Sequence, residues 1–248
     1  MRCSRTLLRD STTSRGPTIR PALALAGSAL VLASCSVPST DDPTDAPDQA
    51  PVEFICPGQS ADRHDAFIDC VESFEPAPSA TFGHERMPEV LLGPPQGAGT
   101  LGSTDVVSLG CGGEITLYFA GEGILDGPGD DFIVFENPFA LGEGSFVEPA
   151  RVLVSDNGER WREFPCDLDS QPPRGCAGIE LVYATDRAEA LDPEIAGGDA
   201  FDLAQVNLQQ VHWIRLIDVT RGYYGHDMWC AGEAGGFDLD AIGSLHPD

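Results

Sequence analysis

Seven short runs of β-branched and aromatic residues, each closed off by Gly, Pro, Asp or Asn, follow one another between residues 105 and 219. They are 105–109 (DVVSL), 114–120 (EITLYFA), 131–136 (DFIVFE), 150–155 (ARVLVS), 161–165 (WREFP), 179–184 (IELVYA) and 211–219 (VHWIRLIDV). Runs of this length and composition, bounded by turn residues, are strands. No helical runs alternate with them, so βαβ units and a parallel sheet are excluded. The pattern predicts an all-β fold: an antiparallel β-sandwich or jelly roll. Helical periodicity is weak, and residues 62–71 are the best short helix candidate. Within 155–161 (SDNGERW), Asn157-Gly158 predicts a tight hairpin turn in which both central residues take positive φ. The segment resembles the sialidase Asp-box, but Gly158 and Trp161 each fall one residue short of its spacing, so the match is rejected.

The N-terminus is of another kind. Arg2, Arg5, Arg9, Arg15 and Arg20 precede an apolar run of 11 residues, 22–32 (ALALAGSALVL). That run is too short for a resident membrane helix, which needs about 20 apolar residues, and it has the length of a signal-peptide core. It ends in Leu32-Ala33-Ser34-Cys35, which resembles the bacterial lipobox. The resemblance implies cleavage before Cys35 and attachment of lipid to its sulfur. The alternative is an ordinary signal peptide with a chance Cys; both readings export the chain. Ser36, where an Asp commonly favours inner-membrane retention, implies sorting to the outer membrane and display at the cell surface. Residues 37–53 contain four prolines and little that can be buried, and read as a disordered tether. The expected organisation is a signal over 1–34, a tether over 35–53 and a β-sandwich domain over 54–248.

Export sets the redox compartment. Besides Cys3 and Cys35, six cysteines remain, and an even count in an exported chain implies disulfides. The expected pairs are Cys56–Cys70, Cys111–Cys230 and Cys166–Cys176. Zinc is the poorer reading, because no CxxC spacing exists.

The chain carries 14 basic and 40 acidic residues, and no Lys. Loss of residues 1–34 would leave nine basic against 39 acidic, a net charge of −30. Such a field repels nucleic acid. It suits divalent cations or basic partners, or serves only to keep the surface solvated. Three stretches concentrate carboxylates beside Gly turns and large apolar residues: 124–137 (ILDGPGDDFIVFEN), 197–203 (GGDAFDL) and 235–242 (GGFDLDAI). Their candidate metal ligands are Asp126, Asp130, Asp131, Glu136, Asp199, Asp202, Asp238 and Asp240. In the third stretch the alternation puts Asp238 and Asp240 on one face and Phe237, Leu239 and Ala241 on the other. Calcium takes six to eight oxygen ligands in a flexible cage, and these segments can supply them if the fold brings them together. The EF-hand spacing is absent. The competing reading is that these Asp residues cap turns.

Taken in order, MPEVLLGPPQG, GSTDVVSLGCGGEITLYF, DGPGDDFIVFEN, VLVSDNGERWREFPC, CAGIELVYA, GGDAFDLAQV, IRLIDV and GGFDLDAI resemble a family of uncharacterised bacterial cell-surface proteins and lipoproteins. The resemblance covers about residues 82–244. It implies a galactose-binding-like β-sandwich, with the Trp of VLVSDNGERW in the core, and no established activity. The matching acidic positions are Asp126, Asp131, Glu136, Asp199, Asp202, Asp238 and Asp240, and no catalytic residue carries over. Residues 221–234 are peculiar to this chain.

For catalysis, no G-x-S-x-G elbow, H-E-x-x-H motif, P-loop or dinucleotide fingerprint is present, so the chain is read as a non-enzyme. Residues 222–229 (GYYGHDMW) offer an alternative to catalysis. Tyr223, Tyr224, His226, Asp227 and Trp229 combine rings that stack on sugar faces with groups that bind hydroxyls, in a loop where sandwich ligands dock. The bland reading is that they pack around the Cys230 disulfide. The sequence thus predicts a lipid-anchored, calcium-stabilised module that binds a glycan or an envelope protein. The alternatives are a purely structural envelope protein and a carboxylate-dependent hydrolase of glycans.

Overall fold

In the computed structural model, the residues described are 52–53, 56, 66–142 and 144–246. The signal, Cys35 and most of the tether lie outside them. Among the described residues, no helix is long and apolar enough to cross a membrane.

Antiparallel strands dominate. A six-stranded sheet contains, in chain order, β1 (Val52–Glu53), β2 (Cys70–Glu75), β4 (Glu114–Tyr118), β9 (Ala150–Ser155), β10 (Arg162–Glu163) and β13 (Trp213–Asp218), with spatial order β1-β2-β4-β13-β9-β10. A three-stranded sheet has β6 (Phe132–Phe135) between β11 (Asp199–Phe201) and β15 (Ala241–Ser244). Three two-stranded ribbons join β3 (Val107–Ser108) to β14 (Asp238–Leu239), β5 (Ile124–Leu125) to β12 (Gln210–Val211), and β7 (Phe139–Leu141) to β8 (Gly144–Phe146). Among the described residues, the helices are two short ones, α1 (Arg187–Ala190) and α2 (Thr220–Tyr224), and a few 3-10 turns.

The two larger sheets share one core. Val71, Phe74, Ile115, Leu117, Val152, Val154, Ile214 and Leu216 from the first meet Phe132, Val134, Phe201 and Ile242 from the second. Alternation puts every second residue of β4, β9 and β13 on this face, and an irregularity between Val71 and Ser73 lets β2 contribute Val71 and Phe74, three residues apart. Strand β6 is different, because all four of its residues are buried. Its other face, Ile133 and Phe135, is covered by Val182, Ala184, Ala190 and Ala196. Two-sided burial is why FIVF shows no alternation.

Several local expectations are corrected. Residues 179–184 do not form a strand. Val182 makes a single bridge to Gly197, and the peptide groups of Val182 and Ala184 accept from the N–H groups of Gly99 and Gly97. This segment serves as the cover over β6. The helix expected at 62–71 fails where it can be followed: Cys70 and Val71 begin β2, whose partner β4 supplies a ladder a free-standing turn of helix lacks. Residues 62–65 lie outside the described set. Val52 and Glu53, assigned to the tether, pair with Phe74 and Ser73. Run 211–219 breaks at His212, where the chain passes from the ribbon with β5 to the sheet with β4 and β9.

The turn at Asn157-Gly158 is also longer than expected. β9 and β10 pair with Arg162 opposite Val154, so residues 156–161 all lie in the loop. Gly158 has φ of 72°, but Asn157 does not take positive φ. Instead, Ser155 Oγ accepts from Asn157 and Gly158 N–H, and Asn157 Oδ1 accepts from Glu159 and Arg160 N–H. Trp161 is half-buried at the surface, not in the core, with the Arg215 guanidinium 4.1 Å from its ring centroid.

The six cysteines pair as Cys56–Cys70, Cys111–Cys230 and Cys166–Cys176. The second, spanning 119 residues, ties the turn before β4 to the segment after α2.

Candidate metal centre

Glu136 follows the last residue of β6, Glu148 precedes β9 by two residues, and Asp238 opens β14. The fold brings one carboxylate oxygen from each to within 4.8 Å of the other two. All three are buried, with 2 %, 7 % and 5 % of their surface exposed. Local hydrogen bonds orient them. Glu136 Oε1 accepts from the Asp238 N–H at 3.0 Å, and Glu148 Oε1 accepts from the Gly236 N–H at 2.7 Å. Ser108 Oγ donates to Asp238 Oδ1, and the Asn137 side chain also hydrogen-bonds Asp238. Asn137 is itself held, its Oδ1 accepting from the Ser103 N–H. Two glycines permit these approaches. A Cβ on Gly102, at φ 69°, would stand 2.7 Å from Asn137 Oδ1, and one on Gly236, at φ 78°, would stand 2.6 Å from the Gly110 carbonyl carbon.

What the cluster lacks is positive charge. Among the described residues, no Arg or His forms an ion pair with any of the three. Among the same residues, the buried Glu136 Oε2 finds no hydrogen-bond partner. Burial, followed by repulsion from Asp238 and Glu148, pushes the Glu136 carboxyl well above the ordinary range. Burial, with Asp238 adding repulsion, raises Glu148 to about 9. Burial takes Asp238 to about 7, against the hydrogen bonds from Ser108 and Asn137. Three buried carboxylates with no counter-ion must either hold protons or share a cation. The cluster can therefore hold a metal ion, through oxygen ligands alone.

Of the eight acidic residues singled out from the sequence, Glu136 and Asp238 meet here and the other six do not. Asp126, Asp131 and Asp202 form a second group, but one already occupied with turns. Asp131 accepts from the Gly127 and Leu203 N–H groups, each at 2.7 Å, and Asp202 caps the turn Leu203–Val206. Burial raises the Asp131 carboxyl. Asp130 is exposed and belongs to neither group. Asp199 accepts from the Gly178 and Ile179 N–H groups, and burial takes it to about 7. Asp240 does not share a face with Asp238. It lies between β14 and β15, where the chain changes sheets, accepts from the Gln96 N–H, and is pushed by burial to about 8.

Glu148 was missed. Its only signal is symmetry: Glu136-Asn137-Pro138 and Glu148-Pro149 flank the run that forms the ribbon β7–β8. Asp218 was missed as well. It is buried within a strand that reads as plain β, and it ties three segments by accepting from Gly112 N–H, Phe237 N–H and Thr220 Oγ.

The aromatic segment lies beside this centre. Tyr223 and Tyr224 end α2, and Trp229 sits in the turn Met228–Cys230. Phe146 of β8 stacks on Tyr224 at 6.1 Å and meets Trp229 edge-on at 4.8 Å, while Phe139 of β7 lies 5.0 Å from Phe146. Tyr224 donates its hydroxyl to the Val147 carbonyl, next to Glu148. Tyr223 donates to Gln171. His226 stacks on Tyr224, and exposed Asp227 pairs with Arg221. Phe139, Leu141, Met228 and Trp229 are exposed. Of the five candidate ligand-binding residues, Tyr224 and Trp229 thus meet the ribbon β7–β8 through Phe146, a link that sequence reasoning had not made.

Neither a scan against protein-family models nor a search of curated proteins found a match to the chain.

Proposed function

We propose that the chain is the non-catalytic binding module of an exported, lipid-anchored envelope protein, that its β-fold is stabilised by calcium, and that it presents its aromatic patch to glycans. The observation that carries this reading is the Glu136–Glu148–Asp238 cluster, with ligand oxygens within 4.8 Å and no positively charged partner among the described residues. Calcium is the chemical fit because every donor is a hard oxygen. Three carboxylates can also supply several of the six to eight ligands that calcium takes. Export supports the choice, since an exported chain meets calcium at extracellular concentrations. The lipid at Cys35 anchors the module to the envelope, and the signal and lipobox at 22–35 support that part. The exposed ring of Trp229 offers a face for sugar stacking.

Thermal unfolding tests the calcium reading. A ligand that binds only the folded state stabilises it by RT ln(1 + [L]/Kd), about 2.7 kcal/mol at a hundredfold excess over Kd. The purified protein should melt at a higher temperature in calcium than in chelator. Equal melting temperatures would remove calcium from the account.

A further inference from the structure

The chain between Glu136 and Glu148 is the ribbon β7–β8, and among the described residues it pairs with no other strand of either sheet. Both feet of this ribbon end in carboxylates of the cluster. Its body carries Phe146, which packs on Phe139 within the ribbon and holds the ribbon against Tyr224 and Trp229. Two further bonds tie the cluster to the aromatic patch. The Gly236 N–H is shared between Glu148 Oε1, at 2.7 Å, and the Trp229 carbonyl, at 3.1 Å. The Tyr224 hydroxyl donates to the peptide carbonyl immediately before Glu148. The strands of the ribbon are otherwise largely exposed. Besides the rings and the feet, β7 packs against the 3-10 turn Gly99–Leu101.

We propose that cation binding at Glu136, Glu148 and Asp238 sets the position of the ribbon and thereby forms the aromatic face, so that glycan binding is gated by the cation. This rests on the reading of the cluster as a cation site. The buried, unpartnered Glu136 Oε2 points to a cation independently of the clustering itself. A bound cation draws the two feet together. Without it, the two feet lose the ligand that joins them at Asp238, and the ribbon moves with them. Phe146 then leaves Tyr224 and Trp229. The cation gates the face by differential affinity for the two ribbon positions.

Trp229 reports this directly. The chain has three Trp, at 161, 213 and 229, so the double variant Trp161→Phe/Trp213→Phe leaves Trp229 alone. If that variant does not fold, the difference between wild type and Trp229→Phe gives the same signal. The protein is titrated with calcium, then chelated, while calorimetry follows binding in parallel. The expected result is a saturable, reversible shift of Trp229 emission with the calorimetric midpoint, lost in Glu148→Gln. Calcium heat without any Trp229 shift would overturn the gating and leave the cation site standing. Absence of both heat and shift would overturn the cation site, and the gating with it.

Discussion

Glu136 and Glu148 stand at the two feet of one hairpin ribbon, and their carboxylates meet at Asp238. Chain geometry brings the two glutamates together, because a ribbon returns to where it left. Proline at 138 and at 149 accompanies each foot. Ordinarily, such a convergence of buried carboxylates is avoided, since each loses hydration and gains a like charge.

Substituting one carboxylate should therefore have opposite effects in the two conditions. In chelator at pH 8, Glu136→Gln removes a buried carboxyl that has no cationic partner among the described residues and supplies an amide donor to its neighbours. It should raise stability by about 1–3 kcal/mol. In calcium, the same variant should lose the cation-dependent increment. Chemical denaturation of both proteins in both conditions checks the reversal of sign.

The pH dependence has a definite direction. Asp199 and Asp238 at about 7, Asp240 at about 8 and Glu148 at about 9 all hold protons in the folded state at pH values where the unfolded chain has lost them. The folded state binds more protons than the unfolded one between about pH 4 and 9, so stability falls as pH rises through that window. In chelator, the melting temperature should drop steadily from pH 5 to pH 9. Calcium competes with these protons at the cluster, so its stabilisation should grow over the same range. Melting curves across the range, with and without calcium, decide it.

Disulfide loss should be graded by loop length. Cys111–Cys230 closes a loop of 119 residues and Cys166–Cys176 one of 10. Chain entropy assigns about 5 kcal/mol to the first and about 3 kcal/mol to the second. Urea unfolding of the paired Cys→Ala variants should reproduce this order.

At the aromatic face, Trp229→Ala should reduce glycan binding about tenfold, the equivalent of one lost stacking contact of about 1.4 kcal/mol. Because Trp229 is partly exposed, the melting temperature should change little. Glycan-array binding alongside thermal melts separates the two effects.

The fold class was legible because runs such as Ala150–Ser155 combine β-branched residues with turn residues at both ends, and that strand has the expected bounds. Residues 179–184 have the same composition yet act as a cover. Composition registers that a run is buried and extended, but not whether its hydrogen bonds go to a ladder or to passing loops. In the candidate site, Glu136 and Asp238 were legible as carboxylates set among large apolar residues. Glu148 was not, since its role arises only when the ribbon folds back. Asp238 and Asp240 share a period of two, but the chain changes sheets between them, so the period does not carry their side chains to a common place.

The central claim is that one cation is held by Glu136, Glu148 and Asp238. Diffraction from crystals grown with terbium, a calcium substitute with strong anomalous scattering, tests it most directly. The account predicts an anomalous peak bounded by those three carboxylates and absent in Glu136→Gln. A peak confined to Asp126, Asp131 and Asp202, or none at all, would contradict it.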